Sequence, residues 1–290
     1  MKTIALNLAL STLCLSTAVA VAQSDTTWDK SYSVTGQPSL YLTTGDSHLN
    51  IHACSGCNAV RIHVTAENTS LSRYTLEESQ SGNTVHFSLK EKPDMGIHTN
   101  WHSSKSVKVD VETPANLTLE ARSADGGLTA SGLHGDLTIH TSDGGQDLTE
   151  VTGNVKLHSS DGSIRVRNAS GILEARSSDG SQDISGSFTS LQLHTSDGSI
   201  TLQLAEGSHL SSDSRIESSD GSVSLRLPKS FPAELAVSTS DGSIQSTLPL
   251  TVDGYNSKGN SGHNIRGKFN GGGSLLTIHT SDGSVHLATL

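Results

Sequence analysis

Thr141-Ser142-Asp143-Gly144, Ser159-Ser160-Asp161-Gly162, Ser177-Ser178-Asp179-Gly180 and Thr195-Ser196-Asp197-Gly198 are one turn written four times. Asp125-Gly126 precedes them, and Asp220-Gly221, Asp241-Gly242 and Asp282-Gly283 follow. From Asp125 to Asp197 the aspartates recur every 18 residues; the later gaps are 23, 21 and 41. Equal spacing with matching flanks marks a repeat architecture in which each unit buries its apolar face only against its neighbours.

The flanks alternate with a period of two, the signature of strands. Apolar residues sit six and four positions before the aspartates, as in Leu137 and Ile139, Val155 and Leu157, Leu191 and Leu193. They return three and five positions after, as in Ile164 and Val166, Ile200 and Leu202. Each unit therefore holds two short strands and two turns. Gly135, Gly153 and Gly171 mark the second turn. In Asp-Gly the carboxylate can bond nearby backbone N–H groups, and glycine accepts positive φ. Near-identical units stack like over like, so the expectation is all-β: a right-handed, single-stranded β-helix, or β-solenoid, of ~18-residue coils, each rising about 4.8 Å.

Composition fits a thin structure. The chain of 290 residues has 49 Ser and 28 Gly, but only two Trp, four Tyr and four Phe. Hydrophobic residues are 33% of it, against the usual ~45–50%. A coil has room for a few small aliphatic side chains, which accounts for the shortage.

Residues 1–22 read as a signal peptide, with Lys2, an apolar run, and Ala20-Val21-Ala22 as a small-x-small cleavage site. Cys14 would suit lipidation, but Leu13 stands where a small residue is expected. No later stretch approaches the ~20 apolar residues of a membrane span. The expected product is exported, either periplasmic or at the cell surface or secreted, with no transmembrane segment after cleavage. A formal charge of −10 argues against nucleic acid as a partner. Residues 23–115 form a β-rich capping module, with a loop over 91–104 that carries Trp101. Residues 116–290 form the repeat region, interrupted at about 203–219 and 245–280. The second interruption is read as a degenerate coil with a projecting loop.

Cys54-Ser55-Gly56-Cys57 reads as a small disulfide across a turn, with redox or zinc chemistry as the rarer uses of this spacing. Asp143, Asp161, Asp179 and Asp197 are the calcium candidates. Their order, Asp before Gly, differs from the Gly-Gly-x-Gly-x-Asp unit of calcium-binding repeats, and the bland alternative is a side-chain-capped turn. Arg122, His140, His158, Arg176 and His194 stand three before successive aspartates, which alternation turns outward. They make a possible ligand face for an anionic glycan or a metal, weighed against an ordinary solvated surface. The Ser/Thr two before each aspartate can form a hydroxyl ladder. Trp101, Tyr255 and Phe269 are the aromatic residues in loops or interruptions, where contacts would be sought. No Ser/His/Asp or paired-carboxylate set stands out, and nothing requires a cofactor.

The N-terminal β module, the segment Val-Asp-Val-Glu-Thr-Pro-Ala-Asn-Leu-Thr-Leu at 109–119, and the Gly- and Asp-punctuated strands resemble the bacterial putative-adhesin family of β-strand repeats, a domain of unknown function. They are also similar to the related auto-transporter-adhesin head domains. The resemblance covers about residues 40–290 and implies an exported β-helix. The expected function is a non-enzymatic, adhesin-like binding or structural protein of the cell envelope that contacts a glycan or protein. The rival readings are a β-helix enzyme acting on polysaccharide and a calcium-stabilised repeat protein.

Overall fold

A computed structural model describes residues 25–93, 105–251 and 263–290. The expected signal peptide, Trp101 and Tyr255 lie outside these residues. Apart from a 3-10 turn at Leu71–Arg73, the regular structure described is 22 strands, β1 to β22 in chain order, joined in one mixed sheet. Among the described residues no helix is long and apolar enough to cross a membrane.

The alternation decides what each strand buries. In β12 (Thr152–Ser159) Val155, Leu157 and Ser159 point inward and are buried, while Lys156 and His158 are exposed. Buried residues from every strand but β5 form one continuous cluster, and Tyr74 and Leu76 of β5 pack partly buried against it. Each fully buried aliphatic side chain in it stabilises by roughly 2 kcal/mol before chain entropy is counted.

Pairing divides the strands into two ladders. The first runs β5 (Tyr74–Ser81), β6 (Thr84–Glu91), β2 (Ser39–Thr44), β8 (Asn116–Ser123), β10 (His134–Thr141), β12, then the second halves of β13 (Ile164–Ser177) and β14 (Gln182–Thr195). It continues through β16 (Ser214–Ser218), β21 (Leu275–Thr280), β18 (Ala233–Thr239) and β20 (Asn264–Phe269). The second runs β1 (Thr27–Ser33), β4 (Ala59–Glu67), β7 (Ser106–Pro114), β3 (His48–Cys54), β9 (Leu128–Ser131), β11 (Gln146–Thr149) and the first halves of β13 and β14. It ends with β15 (Ile200–Leu204), β17 (Val223–Leu227), β22 (Val285–Thr289) and β19 (Ile244–Ser246). The repeats pair parallel and in register. Antiparallel strands close the two ends of the first ladder and the β1 end of the second, where they limit open edges. Across that end, Gln80 Nε2 donates to Ser33 O at 2.7 Å, and Tyr32 Oη donates to Glu78 at 3.0 Å.

The order of units in space differs from their order in the chain. β6 and β7 pair outside β2 and β3. At the other end β21 lies between β16 and β18, and β22 between β17 and β19. The described part of residues 245–280 is therefore not one degenerate unit, and the expected projecting loop falls on residues 252–262, outside the described residues. It holds most of β19, the antiparallel β20 and all of β21. Thr239-Ser240-Asp241-Gly242 and Thr280-Ser281-Asp282-Gly283 carry the same turn, so either could stack on Gly221, and the spacing alone cannot order them.

The turn chemistry also differs from expectation. None of the eight Asp-Gly glycines of the repeat has positive φ. They are glycine because a Cβ at Gly126, Gly144, Gly162, Gly180, Gly198, Gly221, Gly283 or Gly242 would lie 1.9–2.3 Å from the carbonyl oxygen of the turn below. The aspartate carboxylates do not cap these turns. Instead the Ser/Thr column points inward, and Ser177, Thr195, Ser218, Thr239 and Thr280 accept from the N–H of the glycine three residues on, at 3.0–3.2 Å. Thr195 Oγ1 also donates to Ser178 O and Gly180 O, at 3.1 and 3.2 Å. The interior is not purely aliphatic, since Phe87, Phe188, Phe231 and Phe269 are buried. Phe269 is thus a core residue and not a contact residue.

Candidate ligand-binding face

Register brings the predicted face residues into one file on the outer side of the first ladder. Arg122 pairs with His140, His140 with His158, His158 with Arg176, and Arg176 with His194. The file continues through Glu217, His279 and Ser238. Beside it, two residues back along each strand, run Tyr41, Glu120, Thr138, Lys156, Glu174, Gln192 and Arg215.

The backbone beneath is fixed from inside. Buried Gln146 and Gln182 donate from Nε2 to His158 O and His194 O, each at 2.7 Å. Both reach from the second ladder, where neighbouring units carry aliphatic residues such as Ile164 and Ile200. Sequence reading missed this role. The signal was available, because Gln interrupts an inward apolar column.

The arginines are not free. Arg122 bonds Glu120 at 2.8 Å and Arg176 bonds Glu174 at 2.9 Å, each two residues away on its own strand. Arg215 pairs with Glu217 in the same way. Lys156 makes no ion pair among the described residues. The rings of His140 and His158 are 5.8 Å apart. Partial burial, then Arg122 and His158, hold the His140 pKa below the ordinary imidazole value, against the pull of Glu120. A small hollow of about 180 Å³ lies among Arg176, Gln192, His194, Arg215 and Glu217. Toward the β2 end, Tyr41 stacks on His86 with ring centres 4.6 Å apart and planes 11° from parallel. Tyr41 is 39% exposed, and Ile172, on the same side, is 48% exposed.

Asp143, Asp161, Asp179 and Asp197 stand as an exposed column along the adjacent corner. Asp125 and Asp46 extend it, since Asp46 occupies the same place in the unit of β2 and β3. No group of three or more His, Cys, Asp or Glu side chains among the described residues is arranged to hold a metal ion. Cys54 and Cys57 face each other with Cα atoms 5.8 Å apart, within the separation a disulfide spans. They border a groove of about 530 Å³ shared with Gln37 and Pro114.

A second groove, of about 370 Å³, lies on the outer side of the second ladder among Asp29, His52, Arg61, His63, Asp110 and Glu112. Its charges are largely paired: Asp29 contacts His63, and Arg61 bonds Glu112 at 2.9 Å. No sequence signal pointed to it, because its residues come from four strands whose adjacency the alternation does not reveal.

The family model Toastrack DUF4097 matches residues 39–288. No curated protein matches the chain. Among solved structures, a Parabacteroides distasonis protein described as a putative lipid binding protein aligns over 90% of this chain and 96% of its own, at 13% identity and TM-score 0.52. A putative adhesin from Parabacteroides merdae aligns over the same shares at 13% identity and TM-score 0.45. A putative adhesin from Bacteroides fragilis covers 92% and 98%, at 9% identity and TM-score 0.39.

Proposed function

The chain belongs to the Toastrack DUF4097 family, and from that premise we propose that it is an exported, non-enzymatic rod that binds within the bacterial cell envelope. In this reading it is a right-handed β-solenoid of ~18-residue coils, adhesin-like, acting in the periplasm or at the surface. Its partner is an envelope glycan or protein. One observation carries the reading: parallel register places Arg122, His140, His158, Arg176 and His194 in one unbroken file on an outer face. Side chains repeated at coil spacing suit an extended ligand better than a single reacting atom. The paired cysteines suit an oxidising compartment.

The test is cosedimentation of the purified protein with isolated bacterial envelope material, with soluble products assayed in parallel. The protein is expected to sediment with the envelope and to release no fragments. Catalytic release of glycan fragments contradicts the reading.

A further inference from the structure

We propose that the ligand of this face is a linear acidic polysaccharide, laid along the stacking direction of the first ladder and held when His140, His158 and His194 carry protons. This rests on the binding reading above and names its partner.

The first argument is charge. Between β8 and β16 the outer face carries four fixed cations, Arg122, Lys156, Arg176 and Arg215. It carries four carboxylates, Glu120, Asp136, Glu174 and Glu217. The fixed charges cancel, so the three imidazoles decide the sign. With all three protonated the face carries three net positive charges; with all three neutral it carries none. His134 lies at the far end of β10, away from the file. The remaining groups near the imidazoles are the corner aspartates Asp125, Asp143, Asp161, Asp179 and Asp197. Their negative charge repels a polyanion from the corner toward the Lys156 and Arg215 file.

The second argument is spacing. Equivalent side chains in parallel strands recur about every 4.8 Å, so alternate coils repeat at about 10 Å. That is on the order of one disaccharide step in an extended glycan, so a chain with one acid per disaccharide meets every second coil. The third is the apolar surface. Tyr41, held by its stack on His86, offers ring surface to a sugar, and Ile172 adds an exposed aliphatic contact. A small free anion would use neither. Partial burial and the neighbouring Arg122 and His158 hold the His140 pKa below the ordinary imidazole value of about 6.5, so this imidazole charges on the acidic side of it.

The experiment measures binding of the full mature chain to immobilised polygalacturonate, heparin and neutral dextran at about pH 5 and about pH 7.5, where imidazole charge differs most. Polygalacturonate is the carboxylated probe and heparin the sulfated one. At least one is expected to bind about tenfold more tightly at the lower pH, weakening with salt, while dextran does not bind. His140→Gln/His158→Gln/His194→Gln is expected to remove the pH ratio at unchanged melting temperature. Lys156→Glu, which leaves the imidazoles intact, is expected to weaken binding at both pH values. Absence of acidic-glycan binding at the lower pH, or a pH ratio that survives in the triple variant, overturns the proposal. If the protein still binds envelope material through this face, the binding reading stands and only the named partner falls.

Discussion

Gly180 shows why the repeat has its spelling. The residue is buried in a turn, and a Cβ there would lie 2.1 Å from Gly162 O. Its φ is not positive, so close stacking excludes a side chain and conformation does not. Gly207 is the contrast, with φ +80° and nothing within 4 Å of an added Cβ. Gly180→Ala is expected to cost about 3 kcal/mol, near the upper range for overpacking, and Gly207→Ala about 1 kcal/mol of backbone strain. Chemical denaturation of both variants measures the difference; equal costs would show that stacking does not set the turn. The same position illustrates what sequence can and cannot tell. Asp-Gly was legible as a turn, but its usual explanation, a capping carboxylate and a left-handed glycine, was not the operative one. The capping group is the Ser/Thr two before the aspartate.

Strands were largely legible because alternation and an 18-residue period both pointed to them. The face file was legible for the same reason, since equal spacing puts equal positions side by side. What the period could not give was order at the ends. Loops of different length lead to β18 and β21, whose turns are chemically equivalent. The Tyr41–His86 stack was hidden for this reason too, because residues 84–89 pair beside β2 only after a long excursion of the chain. The order can be tested by crosslinking. Thr277 sits between Arg215 and Ala236 on the outer side of the ladder. Arg215→Cys/Thr277→Cys is expected to form a disulfide on mild oxidation, and Arg215→Cys/Ala236→Cys, two coils apart at about 9.6 Å, is not. The opposite pattern would mean that the units stack in chain order.

At the scale of the molecule, the two ladders present outer faces of different character. From β8 to β16 on the first ladder each arginine is tied to a glutamate of its own strand, which leaves three imidazoles and Lys156 to set the balance. On the second, Arg167 bonds both oxygens of Asp147 at 2.8 Å, and Arg165 lies 3.8 Å from Asp147 and from Asp183. Those charges bridge neighbouring coils and serve the stack. The two faces therefore predict different outcomes for the same kind of substitution. The deciding measurement compares Arg176→Glu/Arg215→Glu with Arg165→Glu/Arg167→Glu in binding to isolated envelope material, with folding checked by circular dichroism. Charge reversal on the first ladder is expected to weaken binding about tenfold or more, while reversal on the second leaves binding unchanged and lowers stability. Binding lost equally from both faces, or from the second alone, contradicts the assignment of the first ladder as the ligand face.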